Sequence, residues 1–185
     1  MHNPWKTLGH RWIYTNPWLQ VREDEVVRPD GTIGIYSVVV MRPSVGIVAL
    51  DSSRNVALVE QWRYTLGRPS LEIPTGGSEE SDEGLEQAAR RELLEETGLS
   101  NGYWSPLGTV DNSNGVTNEV AHLFLVDEVI QSAVAQQGQL DEPVSVVWTP
   151  FEQAVAWAAY GSITESISVA ALLRADHHLR NTKSL

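Results

Sequence analysis

Apolar residues follow two rhythms along this chain. Tyr36-Ser37-Val38-Val39-Val40-Met41 is β-branched and apolar, Val45 to Leu50 follows it, and Asn55 to Tyr64 comes after the polar turn Asp51-Ser52-Ser53-Arg54. These runs predict strands. From Glu83 to Thr97 the rhythm becomes helical. At about 100° per residue, Leu85, Ala89 and Leu93 fall within roughly an 80° arc and form a core stripe. Gly98 is a suitable residue to end that helix. Ala121 to Val126 and Val144 to Trp148 predict further strands. Thr149-Pro150-Phe151-Glu152 reads as a helix start, with Thr149 as N-cap, Pro150 at the first helical position and Glu152 closing a capping box. That helix should stop near Gly161. A last helix from about Thr164 is expected to turn Val169, Leu172 and Leu173 inward. The order of elements predicts an α/β or α+β layered domain with a mixed sheet, and not the regular βαβ alternation of a Rossmann fold.

Composition narrows the class. With 185 residues, no repeats and no Gly-, Ser- or Pro-rich linker, the chain reads as one domain, 1–185. It has no cysteine, which removes disulfides, thiolate nucleophiles and Cys-ligated metal sites. No apolar run approaches the ~20 residues of a membrane span. The opening Met1 to Lys6 lacks an apolar stretch, so a soluble cytoplasmic protein without a signal peptide is expected. A net charge of −11 disfavours nucleic acid and anionic membranes as partners.

The charge is concentrated. Between Glu72 and Glu96 stand nine acids and two bases. Glu92, Glu95 and Glu96 fall within about 100° of one another, with Glu96 inside the apolar stripe and Glu92 beside it. A solvated helix face would keep its acids opposite the stripe. At its edge the dielectric is lower, and clustered carboxylates there either protonate or bind a cation. All-oxygen ligands favour Mg²⁺ or Mn²⁺ over zinc. Arg91 lies one turn from Glu95 and can orient its carboxylate. Gly76-Gly77 is no P-loop, because no Gly-Lys-Ser/Thr follows.

Gly77, Glu83, Arg91-Glu92-Leu93, Glu95-Glu96 and Gly98-Leu99, at these spacings, resemble the Nudix box at all nine of its defined positions. The resemblance implies the Nudix fold, an α/β/α sandwich with a mixed β-sheet, here with an N-terminal β-rich segment at about 10–42 and the box at 77–99. It implies hydrolysis of a nucleoside diphosphate linked to another group, with Mg²⁺ or Mn²⁺ held by Glu92, Glu95 and Glu96. It also implies that Glu83 and Arg91 pair to hold the loop on the helix, with Gly77 and Gly98 as structural glycines. A backbone carbonyl of the preceding loop, Thr75 or Gly76, completes the metal site. Pro74-Thr75-Gly76-Gly77 is one residue longer than the corresponding run of many relatives.

Beyond the box, Gln61-Trp62-Arg63-Tyr64, Leu71-Glu72-Ile73-Pro74 and the loop Asn112 to Glu119 are similar to segments of ADP-ribose pyrophosphatases. The proline some of those enzymes carry about fifteen residues past the box is replaced here by Asn114-Gly115. This branch implies a homodimer and a small-molecule nucleotide substrate. Arg63, at a strand end, is a candidate phosphate ligand. Trp62 is suited either to stack on a base or to pack in a core or dimer interface. Glu72 is a candidate supporting group. Asn118 and Glu119 are candidates to contact phosphate or metal, or else only to fix their turn. The nucleophile is expected to be a metal-activated water. Its base is Glu142, which the branch resemblance places on a loop before Trp148, or Glu95 within the box. The leading expectation is ADP-ribose cleavage to AMP and ribose 5-phosphate. The alternatives are a nucleotide-sugar pyrophosphatase acting on ADP-glucose, GDP-mannose or UDP-glucose, and a sensor that binds nucleotide sugar without cleaving it.

Overall fold

A computed structural model describes residues 2–132 and 144–182. In chain order the elements are β1 (Lys6–Thr15), β2 (Gln20–Val27), β3 (Ile33–Val40), β4 (Ser44–Ala49), β5 (Asn55–Arg63), β6 (Arg68–Glu72), β7 (Thr75–Gly77), α1 (Leu85–Thr97), β8 (Leu99–Ser100), β9 (Tyr103–Asp111), β10 (Val120–Asp127), β11 (Ile130–Gln131), β12 (Val144–Pro150), α2 (Phe151–Tyr160) and α3 (Ser166–Thr182). They form two compact units. One comprises the described residues of 1–42 with 111–120, the other those of 43–110 with 121–185.

The smaller unit is an antiparallel sheet in the order β1-β2-β3. Its β2–β3 turn is closed by Gly31, whose φ of 83° lies where glycine is unstrained. The segment 111–120 joins the end of β3. Val39 N–H donates to the Val116 carbonyl at 2.8 Å, and Tyr36 Oη donates to the Gly115 carbonyl at 3.1 Å.

In the larger unit, alternation along two strands divides the core. Strands β4 and β10 pair in parallel, while β7 pairs with β4 antiparallel, so the sheet is mixed. Val45, Ile47, Ala49, Phe124 and Val126 share one buried cluster with Ala88, Ala89 and Leu93 of α1. Val48, Ala121, Leu123 and Leu125 share the other with Phe151 and Ala154 of α2 and Ala171 and Leu172 of α3. Successive strand residues point to opposite faces, so nearly uninterrupted apolar strands require cover on both sides. The α/β/α sandwich follows, and a second, antiparallel sheet β12-β5-β6 belongs to the same unit.

Helix α1 ends at Gly98, in the left-handed conformation with φ 70°, as the sequence suggests. Its start does not: the first helical residue is Leu85, two later than expected. The capping box at 149–152 is also absent. Thr149 and Pro150 complete β12, and the Phe151 N–H donates to the Arg54 carbonyl at 3.0 Å. Pairing with β5 carries the strand two residues further than local sequence indicates. In α3, Leu172 is fully buried, but Leu173 is 40% exposed, because the buried face runs through Ile167, Ser168, Ala171, Leu172 and Ala175.

Gly46 allows α3 to reach the sheet. A Cβ at this position would stand 2.5 Å from Ile167 Cγ2 and within 3.3 Å of Ile73 and Leu123. Gly46→Ala is expected to destabilise the protein by about 1–3 kcal/mol through overpacking, read as a lower urea midpoint at unchanged slope. An unchanged midpoint would contradict this account of the α3–β4 contact.

Candidate active site

The box helix and the β6–β7 connection build the site together. Glu96 is buried on the apolar edge of α1, among Ala89, Leu93 and Thr97, as its helical position predicts. Its Oε2 accepts the Thr75 N–H at 3.0 Å. Glu92 lies one turn back along the helix, against Gly76. A Cβ on Gly76 would stand only 2.0 Å from Glu92 Cδ, so glycine is what lets the loop backbone lie on this carboxylate. Gly77 has open space where a Cβ would be, and its carbonyl accepts from Arg91 Nη2 at 2.9 Å.

Arg91 is the hub of the polar edge. Its Nη1 donates to Glu92 Oε1 at 2.8 Å and to Glu95 Oε2 at 3.1 Å. Its Nε and Nη2 reach Asp82 at 3.3 and 3.2 Å. Asp82 therefore holds the loop on the helix where Glu83 is expected to. Because α1 begins only at Leu85, Glu83 lies in the connection with its side chain exposed, and its backbone N–H donates to Gln87 Oε1. The hydrogen bonds from Arg91 hold the Asp82 carboxyl below its usual range. Burial works against the Arg91 charge, but the bonds to Asp82 and Glu92 outweigh it and strengthen its hold on the proton.

A second ion pair flanks the first group. Glu72 is fully buried at the end of β6, and Arg63 at the end of β5 grips it with two bonds, Nε–Oε1 at 2.9 Å and Nη2–Oε2 at 2.5 Å. The Glu72 hydrogen bond raises the Arg63 pKa, with the charges of Glu96 and Glu165 adding to it. Glu72 is thus neither a loose strand-end charge nor exposed. Nearby Trp62 is 55% and Tyr64 87% exposed, so Trp62 is not part of the core of its own chain.

These contacts leave buried Glu96 and half-buried Glu92 short of positive charge. Burial pushes the Glu96 carboxyl up to about 8; the Thr75 N–H opposes the shift and the Glu92 charge adds to it. Burial raises Glu92 as well, only partly offset by Arg91. Oxygen donors in this electrostatic state suit a hard divalent cation in their chemistry. As they stand, no three His, Asp or Glu side chains among the described residues are gathered closely enough to hold an ion. The Arg91 guanidinium occupies the space between Glu92 and Glu95.

Asn118 and Glu119 belong to the smaller unit. Asn118 Oδ1 accepts the Met41 N–H at 3.0 Å, and the Glu119 N–H donates to Thr117 Oγ1 at 3.0 Å, so both take part in fixing their turn. Glu142 lies outside the described residues. Spacing alone does not single out Asp82, because four acids, Glu79, Glu80, Asp82 and Glu83, stand just before the helix.

Comparison with known proteins agrees with this architecture. The NUDIX domain family model matches residues 40–167, and the model of the nucleoside diphosphate sugar hydrolase N-terminal domain matches residues 5–39. The chain is 29% identical to an ADP-ribose pyrophosphatase of Mycobacterium tuberculosis over 168 residues, covering 91% of this chain and 81% of that protein. It is also 29% identical to a GDP-mannose pyrophosphatase of Klebsiella pneumoniae over 173 residues, covering 89% and 85%. A crystal structure of an ADP compounds hydrolase superposes with a TM-score of 0.83 at 17% identity, over 98% of this chain and 97% of the other, and so shares its fold.

The raised Glu96 pKa fixes a sign for stability in metal-free protein. The folded state keeps this proton up to about pH 8, whereas the unfolded state releases it near 4.5. Stability from the group is complete below about pH 4.5 and is lost as pH rises towards 8. Thermal melts in EDTA are expected to place wild type and Glu96→Gln close together at pH 5 and the variant above wild type at pH 8. A difference that does not change with pH would show that Glu96 is not strained by its own charge.

Proposed function

This chain belongs to the Nudix family, and from that premise we propose that it hydrolyses the pyrophosphate linkage of ADP-ribose to AMP and ribose 5-phosphate. The observation that carries the reading is the pair of under-compensated carboxylates, buried Glu96 and half-buried Glu92, set against the Gly76 backbone and its neighbour Thr75. The choice of ADP-ribose draws on similarity to the mycobacterial pyrophosphatase over nearly the whole chain.

Nudix hydrolases generally use divalent metal ions. Mg²⁺ or Mn²⁺, held by Glu92, Glu95, Glu96 and the Gly76 carbonyl, would neutralise the diphosphate and acidify the attacking water. The chain's own groups prepare the rest. Arg91 orients Glu92 and Glu95, and the Thr75 N–H fixes one oxygen of Glu96. Glu72 anchors Arg63 through Nε and Nη2, which leaves Nη1 to meet a phosphate oxygen. The exposed indole of Trp62 offers a face to the base. Contacts of Asn118 and Glu119 with substrate rest on the resemblance of their loop alone. In the reaction the water oxygen bonds to one phosphorus, the bridging P–O bond breaks and the base takes the water's proton. That base is Glu142 in this reading, with Glu95 the competitor. The protein is further proposed to be a cytoplasmic homodimer, the dimer resting on the resemblance to the ADP-ribose pyrophosphatase branch. Among the described residues, no helix is long and apolar enough to cross a membrane.

A second reading keeps the chemistry and changes the substrate to a nucleotide sugar. It is supported by the match at residues 5–39 and by the similarity to the GDP-mannose enzyme.

Turnover of ADP-ribose, GDP-mannose, ADP-glucose and UDP-glucose with Mg²⁺ or Mn²⁺ distinguishes the two. ADP-ribose is expected to give the highest kcat/KM; preference for a nucleotide sugar favours the second reading, and no turnover of any rejects both. Glu96→Gln should lower kcat at least ~10²-fold at saturating metal. Glu142→Gln should lower it roughly 10²–10⁴-fold with little change in KM. If Glu142→Gln is nearly silent and Glu95→Gln severe, the base lies in the box. Sedimentation at micromolar concentration checks the dimer against the 20.5 kDa chain.

A further inference from the structure

The first turn of α3 is wired into the loop that carries the site. Glu165, just before the helix, accepts the Ile167 N–H through Oε1 at 2.9 Å and the Ser168 N–H through Oε2 at 2.7 Å. The same Oε2 accepts a hydrogen bond from the Ser168 hydroxyl at 2.8 Å. With its hydrogen committed there, Ser168 Oγ is left as an acceptor, and it receives the Ile73 N–H at 3.0 Å. Ser168 and Ile73 are both fully buried, so water does not compete for this bond.

Ile73 stands between the two parts of the site. Glu72, before it, grips Arg63. Pro74, after it, has no N–H to give, and its carbonyl accepts the Ile47 N–H at 3.0 Å. Thr75 then donates to Glu96, and Gly76 lies on Glu92. Residues 72 to 75 are therefore each bonded to a different group, Gly76 pairs with Val45 of β4, and the hold on Ile73 comes from α3. Ile167, next to Ser168, packs on Gly46, whose strand partner is Thr75. The first turn of α3 thus meets this segment at two points, along the chain and across the sheet.

We propose that Ser168, oriented by Glu165, is a positioning residue: through the Ile73 N–H it sets the backbone of Thr75 and Gly76 against Glu96 and Glu92, and so tunes the cation affinity of the site. The inference rests on the reading of those carboxylates as the metal site. Glu165 reaches Arg63 only through its charge and makes no contact with the box carboxylates, its two oxygens being engaged by the helix it caps. If the bond served stability alone, any equal loosening of α3 would have the same effect on the site. Leu172, fully buried in the core on the same helix, supplies that control.

The experiment measures Mn²⁺ binding by electron paramagnetic resonance without nucleotide, then kcat and KM for ADP-ribose and the melting temperature. It compares wild type, Ser168→Ala, Glu165→Ala, Leu172→Val and Glu96→Gln. Ser168→Ala is expected to weaken Mn²⁺ binding about tenfold and to lower kcat by a similar factor, with KM within about twofold. Glu165→Ala should shift both in the same direction by less, and it carries the test if Ser168→Ala does not fold. Leu172→Val should lower the melting temperature while keeping wild-type Mn²⁺ affinity and kcat. The positioning role is overturned if the serine and glutamate variants bind Mn²⁺ as wild type does, or if Leu172→Val loses affinity in the same proportion to its melting shift. A wild type that binds no Mn²⁺, or a Glu96→Gln that binds it normally, overturns the metal-site reading instead.

Discussion

Placing Glu96 in the buried face of α1 and Glu92 at its half-buried edge takes two carboxylates largely out of water without full compensation. In a medium of low dielectric such charges are held only by donors aimed at them or by a cation. The neighbouring structure serves that need. The Thr75 N–H reaches Glu96, Arg91 reaches Glu92, and a glycine at 76 lets the backbone approach where any side chain would collide. A site arranged in this way favours positive charge, as the raised hold of Glu96 on its proton reflects.

Around that centre the charges are sorted into pairs with different tasks. Arg91 ties helix to loop through Asp82 and the Gly77 carbonyl while touching two of the box acids. Arg63 and Glu72 form a separate fork whose buried carboxylate fixes the arginine at the end of β5. An arginine held by two of its nitrogens is pre-organised, which is what the proposed phosphate contact through the third would require. The excess of acid across residues 72–96 has a physical use in this arrangement, since a net negative site attracts the cation that an anionic diphosphate needs beside it.

Much of this could be read from the chain because it depends on local periodicity. The helix stripe places Glu96 inside and Glu92 beside it, Gly98 marks the helix end, and the unbroken apolar runs of β4 and β10 require cover on both faces. The readings that missed were also local. Thr149-Pro150-Phe151-Glu152 has the composition of a capping box, yet pairing with β5 draws Thr149 and Pro150 into β12. Glu83 sits at the expected spacing from Arg91, but a helix starting at Leu85 brings Asp82 to the guanidinium instead. In the first case a long-range strand pairing overrode a short-range preference, and in the second the later helix start changed which acid meets Arg91.

By itself, then, the sequence determined which acids share a helix edge, which strands are covered twice, and the family whose spacing these residues follow, because helix and strand periods are set by backbone geometry. Tertiary structure alone decided which groups meet across the chain. Arg63 can meet Glu72 because the β5–β6 register puts both on one face of the hairpin, Arg63 opposite Arg68 and Glu72 opposite Val59, and the long arginine spans the distance between them. Ile73 finds Ser168, 95 residues away, because Gly46 lets α3 pack against the sheet. Such meetings depend on register and packing summed over many residues, and no short segment carries that information.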